Sequence, residues 1–153
     1  MSILKIARLG HPVLYQKATP VKNISDLSIK KLIYDMTVTM LDAKGIGLAA
    51  PQVHISKQII IFNEFSVQSN TDNQIDVLQD NQINITALIN PKISKISNDT
   101  ENQWEGCLSI PGMLGLVKRY SKICYEGFDM NGNIIKQEAE GLRARIVQHE
   151  YDH

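Results

Sequence analysis

An excess of charge of either sign is missing from this chain of 153 residues: Lys and Arg together count 16, and so do Asp and Glu. That balance argues against a nucleic-acid-binding surface as the main business of the fold, since such a surface needs a strong positive field. Long apolar runs are missing too. MSILKI at the start is followed by Arg8, Gly10 and Pro12, which leaves neither a signal peptide nor a membrane span and points to a cytoplasmic protein. Cysteine is scarce, with only Cys107 and Cys124. In a reducing compartment these read as thiols rather than a bridge. Cys124, inside the strand-like Lys122–Tyr125, reads as a small buried hydrophobe. Internal repeats and low-complexity blocks are absent, and the length suits one domain, residues 1–153, with a proper core.

What is present falls into short, well-separated signals. Gly10-His11-Pro12 to Pro20-Val21 reads as an irregular lead-in, with His11 before a proline as a surface or turn residue. Leu27, Leu32, Ile33, Met36, Met40 and Leu41 recur at helical spacing and predict an amphipathic helix over Asp26–Ala43, capped by Ser25 or Asp26 and followed by Gly45. The loop Gly45-Ile46-Gly47-Leu48-Ala49-Ala50-Pro51-Gln52 has little side-chain bulk and admits a second backbone or a ligand. Its other reading is a tight helix-to-strand connection.

Gln58–Phe62 is a continuous apolar, β-branched run, hence a buried strand. Residues 66–86 are polar and read as a surface insertion or a small hairpin through Ile75–Leu78 and Ile83–Ile85. Strands are predicted over Ala87–Pro91, Lys92–Ile96, Val117–Tyr120, Ile123–Phe128 and Ile134–Gln137, with Asn131-Gly132 as a tight turn between the last two.

Two motifs carry chemistry. Glu105-Gly106-Cys107-Leu108-Ser109-Ile110-Pro111-Gly112 reads as a bend that presents a thiolate, a soft ligand for a borderline metal; a lone cysteine is otherwise a core residue. Gln148-His149-Glu150-Tyr151-Asp152-His153 places two imidazoles at i and i+4 on one helix face with a glutamate beside them. At about 100° per residue, Leu142, Ile146, His149 and His153 share a stripe roughly 60° wide, with Glu150 at its margin. Gln148, Tyr151 and Asp152 fall outside it, and Asp152 is near enough to orient an imidazole. A bare HExxH also occurs in helices that hold no metal, and a downstream pairing with Cys107 supplies a third ligand.

Together and in this order the motifs resemble those of the peptide deformylase family, enzymes that remove the formyl group from the N-terminal methionine of new bacterial and organellar proteins. The resemblance is carried by the Gly-His-Pro-Val-Leu lead-in, GIGLAAPQ at 45–52, IIIF at 59–62, LINPKI at 88–93, EGCLSIPG at 105–112 and QHEYDH at 148–153. It implies an α+β fold, antiparallel sheets packed around the HExxH helix with the first helix on the other side. It implies Cys107, His149 and His153 as ligands of one divalent metal, with water in the fourth position, and Glu150 as general acid/base. Fe²⁺ is the family's usual ion, with Zn²⁺, Ni²⁺ or Co²⁺ able to replace it.

By the same resemblance the Gln52 amide and the Leu108 N–H face the oxyanion. Gly45 and Gly47 offer backbone to an extended substrate, and Ile46, Leu142 and Ile146 wall the methionine side chain. Glu105 pairs with Arg119 to brace the cysteine loop. The implied partners are the nascent formyl-Met polypeptide and, transiently, the ribosome. Two departures stand out. Tyr15 occupies a position where relatives often carry arginine, and relatives continue past the second histidine with further helix, so the terminal turn here is expected to fray and to retain metal less well. Two other functions compete: a zinc endopeptidase using the same HExxH chemistry, and a non-catalytic member that binds metal or peptide only.

Overall fold

The computed structural model describes residues 2–64 and 84–153. After a 3-10 turn at Pro12–Tyr15 come α1 (Leu27–Asp42), β1 (Gly47–Ala49), a second 3-10 turn (Ala50–Val53), β2 (Ile59–Asn63), β3 (Ile85–Lys95), β4 (Thr100–Cys107), β5 (Ile110–Tyr120), β6 (Lys122–Phe128), β7 (Ile134–Glu140) and α2 (Gly141–Asp152). The hairpin expected through Ile75–Leu78 lies outside the described residues, which resume at Asn84.

Among the described residues the strands form an antiparallel sheet in the order β1-β2-β3-β6-β7 and a separate β4-β5 hairpin. Helices cover both faces of the larger sheet. Ile59 and Ile61 point into a core with Ile29, Ile33, Met36 and Met40 of α1, whereas Ile60 and Phe62 point into a second core with Ala144, Ile146 and Val147 of α2. Side chains alternate along a strand, so a strand covered on both faces has to be apolar at every position. That is the physical reason for the run IIIF. At ~1.5–3 kcal/mol for each large apolar side chain removed from water, this double layer dominates the stability of the fold.

The helix stripe shifts by a few positions from the sequence reading. Asp26 caps α1 by accepting from the Ser28 N–H at 2.8 Å. Ile29 is buried, whereas Leu27 and Leu41 are exposed, because the stripe follows the sheet surface and the end residues overhang it. The two strands expected over 87–96 are one strand with an irregular register between Ile89 and Lys92. Asn90 adopts φ 52° there, and its side chain pairs with both the N–H and the carbonyl of Val21, at 2.8 and 3.0 Å. The turn at Asn131-Gly132 is organised by Asp129, whose Oδ1 accepts from Asn131 N–H and Asn133 N–H, with Gly132 at φ 83°.

Two further expectations are corrected, and one strand was not expected at all. Glu105, Gly106 and Cys107 end the β4 strand and Ile110-Pro111-Gly112 begins β5, so the bend is confined to Leu108-Ser109. Strand β4, polar and mostly exposed, has no apolar signal; it exists because β5 pairs with it from Thr100↔Tyr120 to Cys107↔Ile110. Cys124 is only half-buried, because Ile123 and Tyr125 take the face toward α2 and leave it on the opposite one.

Candidate metal centre and active site

Three parts of the fold converge on one point: the turn after β1, the β4-β5 turn and the last two turns of α2. Cys107 Sγ lies 3.3 Å from His153 Nε2, and the ligand atoms of Cys107, His149 and His153 all fall within 4.8 Å of one another. His149 Nδ1 donates to Glu105 Oε2 at 2.9 Å. A carboxylate only accepts, so Nδ1 carries a proton and Nε2 is the ring nitrogen left to face the cluster. The two imidazoles are one helical turn apart, with ring centroids at 5.3 Å.

The charges of the site are strongly coupled. Burial opposes ionisation of Cys107, but the bonds from His149 and His153 outweigh it and bring the thiol pKa down to about 5. The facing sulfur raises His149 to about 9, against burial and with help from Glu105. The charged form of the sulfur and the protonated form of His149 thus favour each other. One thiolate and two imidazoles suit a borderline transition ion, and three protein donors are the number found in catalytic rather than structural sites.

Glu150 is 5% exposed, and burial lifts its pKa to about 7 despite the pull of His149 and His153. Its Oε2 is buried without a hydrogen-bond partner. The carboxylate packs against Gly47, where a Cβ would come within 2.4 Å of Oε1. Any side chain at 47 would displace it, so the small-residue loop is required by this approach.

Gln52 is 2% exposed and its amide is oriented by the backbone: Oε1 accepts from the Ala49 N–H at 2.8 Å. Nε2 consequently points at Cys107 Sγ (3.5 Å) and at Ser109 Oγ (3.2 Å). Leu108 sits over Gly45, where a Cβ would meet its Cδ1 at 2.7 Å. Ile46 and Leu142 are each 43% exposed, while Ile146 is buried in the core on the α2 side.

Glu105 is the centre of a buried charge network. Its carboxylate takes bonds from Arg119 Nε and Nη2 at 3.0 Å and from Arg145 Nη1 at 2.6 Å, as well as from His149. These groups overcome the burial penalty and hold its pKa near 2. Asp152 does not reach an imidazole; it bonds Arg119 at the exposed rim, because it projects away from His149 on α2. Gln148 is not on an outer face either. It is 8% exposed and bonds both the N–H and the carbonyl of Tyr120, fastening β5 to α2.

Sequence reasoning overlooked three residues. Arg145 lies one turn before His149 and bonds the Val117 and Glu101 carbonyls at 2.9 and 2.7 Å besides Glu105. Its i, i+4 relation to His149 is the signal that marks it. Ser109, 2% exposed, and Gln148 become visible only through their partners on other elements.

The model of the polypeptide deformylase family matches residues 3–153. The chain belongs to that family. It is therefore an enzyme of the deformylase class, a metal-dependent hydrolase. Among its relatives, peptide deformylase 1 of Bordetella pertussis is 43% identical over 148 residues, covering 97% of this chain and 80% of that protein. Peptide deformylase 1 of Xanthomonas axonopodis is 42% identical over 150 residues, covering 98% and 84%. The crystal structure of a class I type b deformylase from Acinetobacter baumannii superposes with TM-score 0.86 at 32% identity, covering 100% of this chain and 93% of that one. The Thermotoga maritima deformylase gives 0.83 at 35%, covering 100% and 92%. The α+β deformylase fold is thus shared throughout the described residues, and no helix among them is long and apolar enough to cross a membrane.

Proposed function

We propose that residues 1–153 act as one catalytic domain that hydrolyses the formamide bond of N-formyl-methionyl polypeptides, with Cys107, His149 and His153 holding one divalent metal ion. Fe²⁺ is the native ion on this reading, and the same thiolate and imidazoles accept Zn²⁺, Ni²⁺ or Co²⁺. The ion supplies Lewis acidity, polarising a carbonyl oxygen and acidifying water. The observation that carries the reading is the Glu150 carboxylate, buried, with one oxygen unbonded, and adjacent in sequence to a ligand histidine.

Glu150 takes a proton from water as the water oxygen attacks the formyl carbon. Its elevated pKa suits a group that has to bind and release a proton near neutrality. Gln52 Nε2 and the Leu108 N–H donate to the oxyanion that forms; Gln52 is prepared for this by the bond that fixes its Oε1. As the C–N bond breaks, Glu150 returns the proton to nitrogen, leaving formate and a free methionine amine. Glu105 holds the His149 tautomer, Arg119 holds Glu105, and Asp152 holds Arg119 at the rim.

Among the described residues strand β1 (Gly47–Ala49) is outermost in its sheet, so its outer edge and the Gly45-Ile46 that lead into it can pair with an extended peptide. Ile46, Leu142 and Ile146 then form the walls for the methionine side chain. The substrate is a nascent chain, met in the cytoplasm during transient contact with the ribosome. Hydrolysis of formyl-Met-Ala-Ser by Fe²⁺- or Ni²⁺-loaded protein under anaerobic conditions tests the reading. Glu150→Ala is expected to abolish turnover while leaving metal bound; unaltered turnover in that variant overturns the mechanism.

A further inference from the structure

The segment Ala7–Leu9, assigned no role above, ties together the two loops that carry the site. Ala7, 1% exposed, donates its N–H to the Gln52 carbonyl at 2.7 Å. Leu9 donates its N–H to the Ser109 carbonyl at 2.9 Å. Between them the Arg8 side chain reaches the same turn, and its Nη1 donates to the Leu108 carbonyl at 2.9 Å.

The carbonyl of Leu108 and the N–H of Ser109 belong to one planar trans peptide unit and point in opposite directions. That unit follows directly on Cys107, and the Ser109 hydroxyl accepts at 3.2 Å from the same Gln52 Nε2 that faces the Cys107 sulfur at 3.5 Å. Arg8 therefore grips the peptide unit between Leu108, next to the Cys107 ligand, and Ser109, which is bonded to Gln52. The neighbouring Leu9 bond fixes the next unit, so the whole Leu108-Ser109 bend is set from outside the β4-β5 hairpin.

We propose that Arg8 is a positioning residue for deformylation: by holding the Leu108–Ser109 peptide unit it places Cys107 Sγ and the Leu108 N–H relative to the reacting formyl group. The proposal rests on the ligand role of Cys107 and the donor role of Leu108 given above. Arg8 is exposed, so truncating it opens no cavity in the core, and the effect appears in geometry rather than in folding.

Steady-state kinetics on formyl-Met-Ala-Ser, together with the thiolate-to-cobalt absorption band of the Co²⁺-loaded protein, test it. Because small misplacements at a reacting centre are costly, Arg8→Ala is expected to lower kcat about tenfold with KM unchanged within about twofold. The cobalt band should shift in the same variant. Arg8→Lys, which can supply the single bond but not the planar fork, should recover kcat to within about threefold of wild type. Lys5→Ala, an exposed change three residues before Arg8, should alter neither readout. A wild-type band that is unchanged in Arg8→Ala, with unchanged kcat, overturns the role of Arg8. A wild-type protein with no thiolate-to-cobalt band overturns the ligand assignment beneath it, a distinct failure.

Discussion

Replacing Glu105 with glutamine separates charge from shape at the centre of the network beneath the site. The side chain is 7% exposed, and glutamine keeps its volume and one acceptor. It puts an NH₂ where the carboxylate faces Arg119 Nη2 and His149 Nδ1, both donors, and leaves two arginines, 7% and 13% exposed, without their anion. A pKa moved from 4.5 to about 2 corresponds to about 3 kcal/mol of stability at neutral pH. Breaking a buried ion pair by removing one partner costs about 3–5 kcal/mol, so the two routes agree.

The native pKa of Glu105 lies below its unfolded value, so this stabilisation is complete above pH 4.5 and disappears as the pH falls toward 2. Urea unfolding of metal-free wild type and Glu105→Gln across that range should therefore show a gap of about 3 kcal/mol at pH 7 that closes in acid. Metal affinity should fall roughly 10–100-fold in the variant, because His149 loses the acceptor that fixes its tautomer. A gap that is absent at pH 7, or that persists unchanged at pH 2.5, refutes the reasoning.

Two more substitutions test the positions around the reacting groups. Gly47→Ala puts a methyl 2.4 Å from Glu150 Oε1 and should lower kcat by about 10², while metal content, measured by elemental analysis, stays at the wild-type level. Gln52→Ala should lower kcat by ~10²–10³ and also destabilise by ~1–3 kcal/mol, since the buried Ala49 N–H loses its acceptor. Gln52→Glu keeps that acceptor but buries a carboxylate 3.5 Å from the Cys107 sulfur, so calorimetry should show no recovery of stability and kcat should stay low.

Legibility in the sequence tracked the distance over which each feature is caused. The α1 helix and the β2 run announce themselves because burial on one or two faces imposes a period of 3.6 or an unbroken apolar stretch on neighbouring residues. The i, i+4 spacing of His149 and His153 is equally local. Strand β4 was not readable, since Thr100–Cys107 is polar and becomes a strand only through hydrogen bonds to β5. Asp152 was misjudged for a similar reason: its angle on α2 was known, but not that Arg119 would arrive beside it and Glu105 would take the imidazole.

The sequence by itself determined both helices, the apolar strands, the motif order and the donor types, because helical period, strand alternation and side-chain chemistry are properties of a residue and its near neighbours. Only the tertiary structure decided the rest. Cys107 meets His153 across 46 positions, Gln52 meets Cys107 across 55, and Glu105 meets Arg145 and His149 across 40 and 44. Those contacts depend on a hairpin laid against a helix and on a glycine that lets a carboxylate approach its backbone, and a linear pattern does not encode distances of that kind.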